Sequence, residues 1–113
     1  MIASSERAWL TVPDLVDLLG LSQSQVRRMI EDRQLLAARI DGVLKVPADF
    51  ILNGEVMPEL RGTLIVLHDA GFSDAESMTW MLGVTDLLGT APIDALRAGR
   101  KAEVRRVAQA LGF

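Results

Sequence analysis

Two adjacent arginines, Arg27 and Arg28, lie in the segment Gln23 to Asp32, where apolar residues recur at helical spacing. A guanidinium presents its N–H donors in a planar fork. It pairs bidentately with a carboxylate, a phosphate or the O6/N7 edge of guanine. Ser24 and Gln25 precede the arginines and add a hydroxyl and an amide at the start of the same segment, from where a helix presents side chains to base edges. Arg39 and Lys45 flank Asp41-Gly42 and have the chemistry to grip phosphate or the minor groove. Each residue also has a plainer use. Arg27 and Arg28 can form a solvated helix face beside Glu31 and Asp32. Gln25 can cap its own helix, and Arg39 and Lys45 can pair across a hairpin. Asp41 at the hairpin tip repels phosphate, so only a wing that holds it clear of the backbone suits binding.

Bond-making chemistry is not in evidence. The 113 residues contain no cysteine and one histidine, which removes disulfides, thiol chemistry and a histidine metal cluster within one chain. His68 lies one turn before an expected helix end and reads as a buried or capping imidazole. Asp69, Asp74 and Glu76 are explained as caps and turns. No catalytic residue, metal ligand or cofactor is expected, and the chain does not read as an enzyme.

The elements that position these groups are marked by start and stop signals. Thr11-Val12-Pro13-Asp14 opens a helix with a hydroxyl cap, a proline in the first turn and an acid three residues on. Leu15, Leu18 and Leu19 follow as its apolar face, and Gly20 stops it. Ser22 and Gln25 form a second capping box, with Val26, Met29 and Ile30 turned inward. Asp41-Gly42 then separates two β-like runs, so Val43 to Val46 should pair back on Ala37 to Ile40. Pro47 ends that strand, and Ala48 to Leu52 reads as a short closing helix. The order helix, tight turn, helix, hairpin is a winged helix-turn-helix.

Asn53-Gly54 marks a break between two halves. The expected division is a flexible tail over 1–10, a winged helix-turn-helix over 11–53 and a helical domain over 54–113. The helical half has Pro58 to Ala70, a helix capped by Ser73 and Glu76, a short helix Ile93 to Ala98 and a last helix Lys101 to Leu111. Trp80, Met78 and Met81 read as core, with an exposed partner-binding surface as the other reading. Arg105-Arg106 reads as a solvated face, with a phosphate contact as the alternative. The fold class is mainly α with a small β-hairpin wing, the winged helix-turn-helix being followed by a C-terminal helical bundle.

Composition bounds the rest. Half of the residues are hydrophobic (50%), but aromatics are few, so the core is built from aliphatic residues and methionine. The net charge is −3, which argues against coating nucleic acid non-specifically. The longest apolar run, Leu64 to Leu67, is far short of the roughly 20 residues of a membrane helix. The N-terminus lacks the pattern of a signal peptide. A cytoplasmic protein with no membrane partner is the expectation.

Thr11 to Ile51 resembles the excisionase/MerR-like winged helix-turn-helix. The likeness rests on Thr11-Val12-Pro13-Asp14-Leu15, the turn Leu19-Gly20-Leu21-Ser22, the core Val26-Arg27-Arg28 and the close Val46-Pro47-Ala48-Asp49-Phe50. Most of the chain is similar to a small family of actinobacterial DNA-binding proteins, through Leu64 to Met81 and Pro92 to Gly99 followed by Glu103-Val104-Arg105-Arg106. That late segment also resembles the partner-binding domain of Xre/ParS-type antitoxins, although the glycine-rich loop is reduced to Gly83 to Gly89. These resemblances imply a sequence-specific protein that binds double-stranded DNA, regulates transcription and reads the major groove with helix 23–32. Its DNA contacts would be Ser24, Gln25, Arg27, Arg28, Arg39 and Lys45. The C-terminal half would form a homodimer or bind a protein partner. The competing expectation is an antitoxin-like adaptor whose helix-turn-helix is only a scaffold.

Overall fold

A computed structural model describes residues 7–111. Thr11 ends a short strand, β1 (Trp9–Thr11), and caps α1 (Val12–Leu19). Its hydroxyl accepts from the Asp14 amide at 3.2 Å, and the Asp14 carboxylate accepts from the Thr11 amide at 3.0 Å. The Thr11 amide foremost, with the Thr11 hydroxyl beside it, holds the Asp14 carboxyl below its ordinary pKa. Gly20 closes α1 in the left-handed conformation at φ 69°. Ser22 and Gln25 repeat the box at the start of α2 (Gln23–Glu31). Reciprocal capping satisfies two of the amides that a helix start leaves without partners.

The wing follows as β2 (Ala38–Ile40) and β3 (Val43–Pro47), joined through Asp41 and Gly42 at φ 53° and 79°. Positive φ at both turn positions matches the strand twist of a type I′ hairpin. β3 is the central strand, flanked by β2 and β1 in an antiparallel sheet of order β1-β3-β2. The flexible tail expected over 1–10 is therefore too long. Residues 1–6 lie outside the described residues, but from Trp9 the chain pairs with β3, Trp9 opposite Pro47 and Thr11 opposite Lys45.

The closing helix expected at Ala48 to Leu52 is also corrected. Only Ala48–Phe50 forms a 3₁₀ turn. Ile51–Leu52 (β4) pairs with Glu55–Val56 (β5) around Asn53 and Gly54, at φ 55° and 76°. Asn-Gly supplies the same turn chemistry as Asp-Gly and folds the chain back before a helix can grow.

Four helices complete the chain: α3 (Pro58–Asp69), α4 (Asp74–Leu82), α5 (Pro92–Arg97) and α6 (Lys101–Ala110). α4 starts with the expected Ser73/Glu76 box, at 3.1 and 2.9 Å. One buried cluster runs through both halves, from Leu15, Val26, Val46 and Phe50 to Leu60, Met81, Ile93 and Val104. Three side chains depart from expectation. Leu18 is 47% exposed, because the buried stripe of α1 runs through Val12 and Leu15. His68 is exposed, one residue past buried Leu67 and so about 100° around the helix. Trp80 is half-buried, because Ser77, Met78, Met81 and Leu82 take the inner face of α4.

Arginines tie the halves together. Arg7, with 8% of its side chain exposed, pairs with Asp49 of the 3₁₀ turn at 2.8 Å and with Asp94 of α5 at 2.9 Å. Its hydrogen bond to Asp94 is the largest influence holding the guanidinium charged against burial. Arg97 donates to the carbonyls of Asp49 and Ile51, each at 2.9 Å.

Candidate nucleic-acid interface

The geometry of α2 follows from its capping and its apolar stripe. Ser22 Oγ accepts from the Gln25 amide at 3.1 Å, and Gln25 Oε1 accepts from the Ser22 amide at 2.8 Å. The Gln25 amide oxygen is thus committed to the cap, which leaves its NH₂ for any other contact. Val26 is fully buried and Met29 and Ile30 are half-buried, so Ser24, Arg27, Arg28 and Glu31 take the outer face. At 100° per residue Ser24 and Glu31 run down its middle, with Arg27 and Arg28 on either side. Among the described residues neither arginine has an ion-pair partner within 4.0 Å.

The start of α2 differs from every other helix start among the described residues. The first turns of α1, α3, α4, α5 and α6 all carry an acid: Asp14, Glu59, Asp74 with Glu76, Asp94 and Glu103. The first turn of α2 carries none, because neutral Gln25 takes the place of an acid in the box. A helix N-terminus behaves as a partial positive charge, which an acid in the first turn offsets. α2 leaves that charge available to an outside anion such as a phosphate.

The other end of α2 holds a cation that was not singled out in the sequence. The Arg33 amide donates to the Ile30 carbonyl at 3.2 Å and the Gln34 amide to the Met29 carbonyl at 2.9 Å, with Arg33 at φ 59°. The ends of α3 and α5 have the same pair of bonds, with Gly71 and Gly99 at the left-handed position. For an L-residue that conformation costs roughly 1–2 kcal/mol. Only backbone geometry reveals this, since no sequence rule marks arginine as a helix stop. Arg33→Gly is expected to raise stability by about 1 kcal/mol in denaturant titration, after part of the gain is offset by the freer unfolded chain. A variant less stable than wild type contradicts the strain.

The wing does not unite its two expected contacts. Arg39 lies opposite Leu44, and Lys45 lies opposite Ala38 and Thr11. Facing residues in an antiparallel pair share a side of the sheet and neighbours in sequence alternate. Arg39 therefore projects with Leu44, and Lys45 from the other side with Ala38. Ala38 and Trp9 line a cavity with Met78 and Leu82, so the Lys45 side of the sheet is the one turned to α4. Arg39 is exposed and reaches back to the Gly42 carbonyl at 3.4 Å, whereas Lys45 is half-buried. Ser24, Arg27, Arg28 and Arg39 are accessible, and Lys45 is set apart from them.

Two family models match the chain. One, described as "DNA-binding protein Rv2175c, wHTH domain", covers residues 2–51. The other, described as "Rv2175c C-terminal domain of unknown function", covers residues 57–112. The DNA-binding protein Rv2175c of Mycobacterium tuberculosis is 35% identical over 115 residues, covering 90% of this chain and 79% of that protein. The NMR structure of Rv2175c superposes with a TM-score of 0.88 at 31% identity, covering 96% of this chain and 83% of the other. The mainly helical fold with its small antiparallel sheet and winged helix-turn-helix is the fold of that structure.

Proposed function

We propose, from the premise that this chain belongs to the Rv2175c family of winged helix-turn-helix DNA-binding proteins, that it is a sequence-specific regulator of transcription. It lays α2 in the major groove of double-stranded DNA. The observation that carries this reading is the anion-ready face of α2: a first turn without an acid and two outward arginines without ion-pair partners among the described residues. Arg27 and Arg28 pair with guanine edges or phosphates. Ser24 and the Gln25 NH₂ supply shorter contacts near the helix start, and Arg39 steadies the wing on the backbone. Lys45 joins only where the backbone wraps round to the α4 side of the sheet.

One such unit presents little charge, since Glu31 shares the face with the two arginines. A homodimer on paired half-sites, assembled through the helical half, raises affinity without a larger interface. Among the described residues no helix is long and apolar enough to cross a membrane. A cytoplasmic regulator acting by occlusion or recruitment, with no cofactor and no chemical step, accounts for the site. The test is a titration of genomic duplex fragments at two salt concentrations. A preference among sequences that persists at the higher salt supports the reading, and the absence of binding at low salt favours a protein-interaction module.

A further inference from the structure

The outward side of α6 carries three cations, Lys101, Arg105 and Arg106, and one acid, Glu103, which lies beside Arg106. Lys101, Arg105, Arg106 and Gln109 surround Ala102 and line a shallow cavity of about 400 Å³. All five residues are exposed, while Val104 and Ala108 are buried. Glu103 accepts from Arg100 Nε and Nη2, each at 3.0 Å, and Arg100 foremost, with Arg106 nearby, holds its carboxyl below the ordinary carboxylate range. The Arg105 guanidinium lies over the α3 backbone at Gly62. Lys101 and Arg105 are one turn apart, a like-charge spacing that weakens a helix unless an anion is nearby. Among the described residues none of the three cations has an ion-pair partner.

Arg61, next to Gly62 in sequence, lines a cleft together with Glu55 and with Met29 and Gln34 at the end of α2.

We infer that Lys101, Arg105 and Arg106 form a second nucleic-acid contact, which binds backbone phosphates of the duplex whose sequence α2 reads. The inference rests on the proposed function and assigns a role to the helical half. The face has no aromatic group for stacking, and a cluster of cations around a small residue suits phosphate oxygens, which carry no sequence information. Specificity then belongs to α2 and much of the affinity to α6. This arrangement lets a chain of net charge −3 hold a polyanion.

The experiment compares full-length wild type, Lys101→Ala/Arg105→Ala/Arg106→Ala, and Arg27→Ala/Arg28→Ala on a panel of duplexes over a range of salt. The α6 variant is expected to bind every duplex roughly 10- to 100-fold more weakly at about 0.1 M salt. Its slope of log K against log salt falls by about 0.9 per lost phosphate contact, and the ratio between sequences stays at the wild-type value. Circular dichroism and melting confirm the fold, and a Gln-for-Ala version of the triple variant repeats the measurement with long polar side chains retained. Unchanged affinity and slope in a folded α6 variant overturn the inference. Failure of the α2 reading looks different: the Arg27/Arg28 variant then keeps the wild-type ratio between sequences, whatever α6 does to the slope.

Discussion

Replacing Arg27 and Arg28 together by alanine is expected to erase the preference among duplex sequences and leave the fold intact. Both side chains are exposed on α2, and neither has an ion-pair partner among the described residues, so truncation removes no internal contact of that kind. An arginine that reads a base bidentately contributes about 1–3 kcal/mol of discrimination, or roughly ten- to hundredfold each. Residual binding should persist, because the start of α2 and the remaining cations still attract phosphate. Competition mobility shifts with preferred and scrambled duplexes measure this as a ratio. A ratio equal to that of wild type, in a variant with an unaltered melting temperature, would remove both arginines from the readout.

The second large effect concerns the junction of the halves. Phe50→Ala is expected to cost about 3–5 kcal/mol, the range for truncating a fully buried phenylalanine. Phe50 is fully buried in the 3₁₀ turn, its carbonyl accepts from the Met57 amide at 3.1 Å, and the neighbouring Asp49 is bound by Arg7. The shared core and the arginine ties should make both halves unfold together. The two tryptophans report on this, since Trp9 lies in β1 and Trp80 in α4. Single-tryptophan versions should show one common transition, moved down together by Phe50→Ala. Two separated transitions in wild type would mean that the halves fold as independent domains.

What the sequence made legible was local. The Thr11, Ser22 and Ser73 capping boxes each involve groups three residues apart, and all three form. The Asp41-Gly42 hairpin is decided by two residues whose backbone preferences match one turn type. The same logic read Asn53-Gly54 as a break only, because its strands are two residues each and show no alternation. β1 was missed for a different reason. Three residues carry no period, and its pairing with β3 is settled across more than thirty residues of intervening chain. The Arg7 clasp joins positions 42 and 87 residues apart, beyond any spacing rule.

The site was legible in kind and less so in geometry. Helical spacing put Ser24, Arg27 and Arg28 on the outer face of α2, where the structure has them. Arg39 and Lys45 are six residues apart around a two-residue turn, whose register already sends them to opposite sides of the sheet; which of those sides α4 covers is decided by contacts distant in sequence. The bare first turn of α2 was visible in Ser22-Gln23-Ser24-Gln25 all along. Its meaning emerges only by contrast with five other helices that each start with an acid.

Sequence reading by α2 is measured most directly as the affinity of the wild-type protein for individual genomic duplex fragments at low and at near-physiological salt. Specific protein–DNA complexes typically exceed non-specific ones by about 10³–10⁷-fold and keep that advantage as salt removes the phosphate contribution. If α2 reads DNA, a small set of fragments stays bound at the higher salt, shares a short sequence, and loses its advantage in the Arg27→Ala/Arg28→Ala variant. Equal affinity for all fragments, falling together as salt rises, would contradict sequence reading by α2.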